Sequence, residues 1–382
     1  MTELTIRNAR ALLPEGEVAI TNLTISGESI ARLGGAGSGR TIDAEGLLLL
    51  PGIVDLHGDA FERQIMPRPG VHFPIEAALL ETDRQLVANG ITTAFHGLTW
   101  SWEPGLRGRD AALTFFDAMD RMQPRLASDT RIHLRHEVYN IPAADEIVDF
   151  LAAGRIGLLA FNDHLPMLRR KRSPLQKLAQ YAERAQLTVE AFSDLLDEVA
   201  ARDGSVAATT DRIAACARDS AVAMASHDDG SPETRRHYNA LGCDLCEFPL
   251  NRDTLSAARS LGNAIIMGAP NVVRGGSHTG GLRVADLVGD DLVDVLTSDY
   301  YYPALLHAPF RLVAEGVVGF AAAWRMVSTN PAERVGLIDR GAISAGKRAD
   351  LLLVDDSDPT LPHVVATFVA GRVAMASRDL LE

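Results

Sequence analysis

Cysteine is scarce in this chain: Cys216, Cys243 and Cys246 are the only three, too few and too odd in number for a disulfide framework. Cys243-Asp244-Leu245-Cys246 has zinc-ribbon spacing, but no second pair completes it, and the surrounding GCDLCEFP reads as a buried strand with core thiols. Positive charge is also in deficit, with 37 Lys and Arg against 50 Asp and Glu and a formal charge of −13. Such a field opposes general binding to nucleic acid or to an anionic membrane, and admits an anionic small molecule only where basic side chains gather locally. Long apolar runs are missing, since nothing approaches the ~20 consecutive apolar residues of a spanning helix. The N-terminal MTELTIRNARALLPEGEVAI has no basic-then-apolar leader, so a cytoplasmic protein is expected. No G-x-G-x-x-G or G-x-x-x-x-G-K-[ST] opens a helical stretch, which removes support for those nucleotide-binding loops.

What is present has two textures. Residues 1–52 alternate in short pieces such as ELTIRNARALL and EVAITNLTISGESIARLG, and the same texture returns in RADLLLVD and HVVATFVAGRVAMA within 336–382. Each terminal segment is too small to bury a face alone, so the two are expected to join in one small β-sandwich domain. Residues 53–335 alternate apolar runs with amphipathic stretches. GIVDLH, GITTAFHGL, RIHLRHEV, RIGLLAFND, AVAMASHDD, CDLCEFP, NAIIMGAP and LVDVLTSDY make eight strand candidates. AADEIVDFLAAG, PLQKLAQYAERAQ, TDRIAACARDS and PETRRHYNALG read as helices, the last with Pro232 in its first turn after Ser231. Strand and helix alternating eight times predict an α/β fold, a distorted (β/α)8 TIM barrel, rather than an open sheet.

In such a barrel the chemistry sits at the C-terminal strand ends. Here those ends carry His57 and Asp59, Glu137, Asp163 and His164, His227 with Asp228 and Asp229, and Asp299. Imidazoles and carboxylates are the ligands of a borderline divalent ion such as Zn, Mn or Fe. One such histidine is more often a loop or core residue, but five strand ends converging on one face favour a metal centre. On a strand, i and i+2 point the same way, so His57 and Asp59 can aim together into the barrel mouth. A metal there would lower the pKa of bound water and polarise an acyl or phosphoryl oxygen, with Asp299 placed to take the water's proton.

The residues Pro51-Gly52-Ile53-Val54-Asp55-Leu56-His57, Asp59, Asp299 and the stretch STNPAERVGLIDRGAISAGKRADLLLVD resemble the amidohydrolase superfamily of metal-dependent hydrolases. MPRPGVHFP, GITTAF, HLRHEV, DHLP, ASHDD, EFP, MGAPNVVRGGSHTG and SDYYYPALL carry the likeness further, to its phosphonate-utilisation (PhnM) family, across nearly the whole chain. The resemblance implies hydrolysis of the 5-triphosphate of a ribosyl alkylphosphonate to the 5-phosphate and pyrophosphate. It implies one or two divalent ions held by His57, Asp59, Glu137, His164, His227 and Asp299, with Asp299 as ligand or general base. Where the superfamily often has a histidine at the sixth strand, this chain has Glu247, an alternative to His164 in completing the set. The family's usual His-Thr-Asp-Asn is His57-Gly58-Asp59-Ala60 here, which extends the expected substrates to related phosphorylated compounds.

A triphosphate needs cations in an acidic protein. Arg63, Arg68 and Arg274 are the candidates, with His278 as a further donor and Asp228 assigned to substrate. Arg274 is favoured because the glycines of NVVRGGSHTGG let backbone N–H groups approach an anion. The run Arg169-Arg170-Lys171-Arg172 reads equally as a phosphate patch or a solvated helix entrance, and Trp100 and Trp102 equally as pocket or loop packing. The expected partner is a small phosphorylated molecule, with neither nucleic acid nor membrane, and a homo-oligomer is compatible with this reading. Two other readings stand beside it: a C–N hydrolase such as a deacetylase, cyclic amidase or deaminase, and a non-catalytic scaffold subunit of a phosphonate enzyme complex.

Overall fold

The computed structural model describes residues 3–37, 39–68, 70–172, 174–277, 280–377 and 380. Its strands open with β1 (Leu4–Leu12), β2 (Val18–Ser26), β3 (Ser29–Leu33), β4 (Arg40–Asp43) and β5 (Leu48–Pro51). The barrel strands follow as β6 (Ile53–Gly58), β7 (Ile91–Trp100), β8 (Asp129–Glu137), β9 (Leu158–Asn162), β10 (Ala223–His227), β11 (Leu245–Glu247), β12 (Ala264–Gly268) and β13 (Val295–Thr297). The chain returns through β14 (Leu351–Asp355), β15 (His363–Val369) and β16 (Arg372–Ala376).

The terminal strands form one mixed sheet, ordered β16-β15-β14-β5-β1-β2-β3, with β4 pairing alongside β1. The two ends of the chain meet where β14 pairs antiparallel with β5, from Leu351 opposite Pro51 to Val354 opposite Leu48. Both strands are leucine-rich because each has two covered faces. Leu49, Leu351 and Leu353 pack within the sheet's own core with Ile6, Leu23 and Phe368. Their alternates, Leu48, Leu50, Leu352 and Val354, pack instead with barrel residues.

All eight expected barrel strands form, parallel and in sequence order from β6 to β13. Alternate residues fill the interior: Val54, Leu56, Phe95, Leu158, Ala160, Ala225, Leu245, Ala264, Ile266 and Val295. Gly157 leaves room for the buried Phe95 ring, since a Cβ there would lie 3.0 Å from Phe95 Cε1, and Phe95→Ala would open a cavity worth about 3–5 kcal/mol. The expected helices form as well. Pro232 opens Pro232–Ala240, and Ser231 caps it by accepting from the Thr234 N–H at 3.2 Å. At the closed end of the barrel Asp129 accepts from Arg340 Nη1 at 2.7 Å and Arg348 Nη1 at 3.0 Å, tying β8 to the returning chain. Cys243 and Cys246 are buried free thiols, both pushed up by burial to about 12. Among the described residues, no helix is long and apolar enough to cross a membrane.

Candidate active site

The barrel closes at the strand ends that carry His57, Asp59 and Asp299. A single parallel bridge joins Gly58 to Asp299. Around it the Asp299 N–H donates to the His57 carbonyl at 2.8 Å, and the Asp59 N–H donates to the Asp299 carbonyl at 2.8 Å. Below, fully buried Asp55 accepts from the Ser298 hydroxyl at 2.5 Å, the Ser298 N–H at 3.0 Å and the His57 N–H at 3.2 Å. Burial nevertheless pushes the Asp55 carboxyl up to about 6. A Cβ at Gly58 would lie 2.8 Å from Asp55 Oδ2 and 2.9 Å from Tyr302 Cε1, so this seam takes glycine between His57 and Asp59.

Two histidine–carboxylate groups face the mouth. The first is His57, His133 and Glu247, all buried. His57 Nδ1 lies 3.3 Å from Glu247, and His133 Nε2 lies 3.7 Å from it. His133 Nδ1 is 3.0 Å from the Leu56 carbonyl, which can only accept; Nδ1 therefore carries the proton and Nε2 is left as a lone pair. That lone pair points at a carboxylate, and His133 Nε2 and Glu247 Oε2 both lack a hydrogen-bond partner. Two buried acceptors facing each other leave a space that only a cation or a proton satisfies. Burial pushes His57 and His133 down, the latter to about 3, so both rings are neutral at neutral pH. The residues present fit a divalent ion.

The second group is His164, His227 and Asp228, partly open to solvent. His164 Nδ1 hydrogen-bonds Glu137 Oε1, and its Nε2 lies 3.6 Å from Asp228. Burial opposes charge on His164, but Glu137 and Asp228 outweigh it and raise the imidazole to about 9. In return His164 outweighs the burial of Glu137 and holds that carboxyl at about 2. His227 Nδ1 lies 3.3 Å from Asp228, while Arg135 Nη2 donates to its Nε2 at 3.1 Å.

Backbone strain marks the same rim. Asp228, Phe248 and Asp299 adopt positive φ of 60°, 51° and 53° just past β10, β11 and β13, a region that side chains other than glycine seldom enter. Behind Asp228 an ion pair buried on both sides holds the turn. Asp229 Oδ2 accepts from Ser226 Oγ at 2.7 Å and lies 3.3 Å from Arg235, which also donates to the Cys243 carbonyl at 2.6 Å. Asp299 is pushed well above the usual carboxylate range by burial and by the like charge of Asp59.

A cleft of about 400 Å³ opens over these groups, lined by His57, Asp59, Arg135, His227, Asp228 and Asp299 and walled by Arg274, Asn271 and Ser277. Arg274 is exposed and makes no ion pair among the described residues. Glu137 and His164 instead line a smaller adjoining cavity of about 170 Å³ with Trp102, Arg107 and Arg184. Arg63 and Arg68 are exposed and outside the cleft lining, because the chain turns outward into the short helix Glu62–Ile65. His278 lies outside the described residues. Arg169 and Arg172 of the basic run pair with Asp197, as a solvated helix end would. Trp100 is core, packed on Phe116 and Phe150, and Trp102 packs on Phe192 beside the smaller cavity. Reading the sequence missed His133 and Arg135, although the alternation of β8 puts 133, 135 and 137 on one face.

Comparison with known proteins adds to this geometry. No family model matches the chain. It is 32% identical over 363 residues to α-D-ribose 1-methylphosphonate 5-triphosphate diphosphatase of Escherichia coli (strain K12), covering 92% of this chain and 95% of that protein. It is 26% identical to an adenine deaminase of Methylobacterium sp. (strain 4-46), covering 97% of this chain and 58% of that one. The fold matches a solved amidohydrolase with a TM-score of 0.67 at 14% identity, over 99% of this chain and 100% of that one.

Proposed function

Since the chain belongs to the α-D-ribose 1-methylphosphonate 5-triphosphate diphosphatase family of the amidohydrolase fold, we propose that it hydrolyses that triphosphate, or a closely related phosphorylated compound, to the 5-phosphate and pyrophosphate. The observation that carries this reading is the 32% identity along 92% of the chain, joined to a polar cleft at the expected strand ends. His57, His133 and Glu247 would hold a divalent ion (Zn, Mn or Fe), with Asp59 and Asp299 beside them. His164, His227 and Asp228, with Glu137 behind, would hold a second in exchange for the proton on His164. Such an ion, when bound, supplies a lowered water pKa and polarises a phosphoryl oxygen.

The remaining work belongs to the chain. Asp299, held at the seam by two backbone hydrogen bonds, takes the proton of the attacking water, for which its raised pKa suits it. The anhydride P–O bond breaks, the attacked phosphorus keeps the water oxygen, and the other phosphoryl product leaves with the bridging oxygen. Arg274 on the wall of the cleft meets the outgoing phosphates. We place the reaction in the cytoplasm, where free thiols such as those of Cys216, Cys243 and Cys246 stay reduced.

The test is to incubate Mn- or Zn-loaded protein with the ribosyl methylphosphonate triphosphate and measure pyrophosphate and phosphate separately. Stoichiometric pyrophosphate is expected, and none from fully metallated protein would end the proposal. The adenine deaminase match favours a second reading, C–N cleavage. Ammonia release from adenine or a related amine, unaffected by Arg274→Ala, would decide for it.

A further inference from the structure

Arg135 has no place in the expected ligand set, yet it stands at the floor of the cleft. It lies on β8 between His133 and Glu137, with its side chain only 7% exposed. Among the described residues its one hydrogen bond runs from Nη2 to His227 Nε2 at 3.1 Å. Asp59, the nearest carboxylate oxygen, is 3.7 Å from Nη1, beyond hydrogen-bonding distance, and Nε has no partner. A guanidinium has five N–H donors, and burying one with most of them unspent is costly unless an anion completes the set. The wall beside it is cleared by glycine. A Cβ at Gly97 would sit 3.5 Å from Arg135 Cδ and 3.4 Å from His57 Nε2, so β7 contributes no side chain there.

Arg135 and Arg274 are the only arginines lining the cleft among the described residues, one buried at its floor and one exposed. We propose that Arg135 is a substrate-contacting residue, whose unspent N–H donors take the oxygens of the phosphoryl group nearest the donor groups. Arg274 takes the more distant phosphates. The inference rests on the diphosphatase reading and assigns the cation that recognises the reacting end of the polyphosphate. A fork of N–H groups suits two phosphoryl oxygens at once, which a lysine ammonium does not match.

The experiment measures inorganic pyrophosphate binding to metal-loaded protein by calorimetry, with metal content determined on the same samples. For Arg135→Gln, binding about tenfold or more weaker is expected at unchanged metal content, the range for a lost hydrogen bond to a charged group. Arg135→Lys should recover part of the loss. Binding equal to the unsubstituted protein in both variants would overturn the inference. So would a loss of metal that accounts for the weaker binding, because Arg135 would then act through the donors alone. Failure of the unsubstituted protein both to bind pyrophosphate and to release it from the triphosphate would instead overturn the diphosphatase reading.

Discussion

The two donor groups at the barrel mouth use the same residue types to opposite electrostatic ends. In His57, His133 and Glu247 every member is buried, and the His133 Nε2 lone pair faces Glu247 Oε2 with neither atom making a hydrogen bond. In His164, His227 and Asp228 the rings already have complementary neighbours: Glu137 and Asp228 flank one, and Arg135 donates to the other. Donor identity alone therefore does not rank metal sites. What ranks them is whether the donors still need a positive charge once the local hydrogen bonds are counted.

The largest effect is expected from removing Glu247, the buried carboxylate that both rings of the first group face. Glu247→Ala should abolish tight metal binding and lower kcat/KM by on the order of 10³, beyond the 10–100-fold typical of residues that only orient a ligand. Elemental analysis and turnover check this, and an unchanged metal content would dissolve the distinction between the groups. Next, Arg235→Met leaves Asp229 buried without its partner and should cost about 3–5 kcal/mol of stability, read as a lowered denaturation midpoint. The first group's ion should be retained in this variant and the second's weakened, since Asp229 braces the turn that carries Asp228.

The smallest effect sharpens the comparison through pH. An ion in the second group must displace the His164 proton, so its affinity should rise by about tenfold per pH unit up to about 9 and level off above. The first group's rings are already neutral, and its affinity should change far less over pH 7–9. In metal-free protein the sign reverses. A histidine raised from 6.5 to about 9 contributes stability that is full below 6.5 and lost as pH rises through 9. Metal titrations at three pH values, beside denaturation of the apoprotein, separate the two trends.

The barrel was legible because each buried parallel strand is a short apolar run and each helix between them is amphipathic. The leucines of β5 and β14 were legible as strands, but not as a ribbon serving two cores at once, which depends on pairing between residues some 300 positions apart. At the site, His57, Asp59 and Asp299 stood out because polar groups interrupt apolar text. His133 and Arg135 did not, because RIHLRHE carries a histidine on each face, and only the parity set by Glu137 separates inward His133 from His136, packed outward beside Ile132 and Leu134. Arg63 and Arg68 show the converse. Their charge was visible, but the outward turn after the seam that removes them from the cleft was not.

The single bridge between Gly58 and Asp299 also bears on the order in which the molecule becomes active. The residues it joins are separated by most of the barrel sequence, so the ring is completed only after the eighth strand has been made and docked, and the loop-closure entropy of that contact falls late. The hydrogen bonds that complete the ring are the ones that fix Asp59 and Asp299. A chain that has not closed its barrel thus lacks the fixed Asp59 and Asp299, and its donor groups stand without the residue that takes the water's proton.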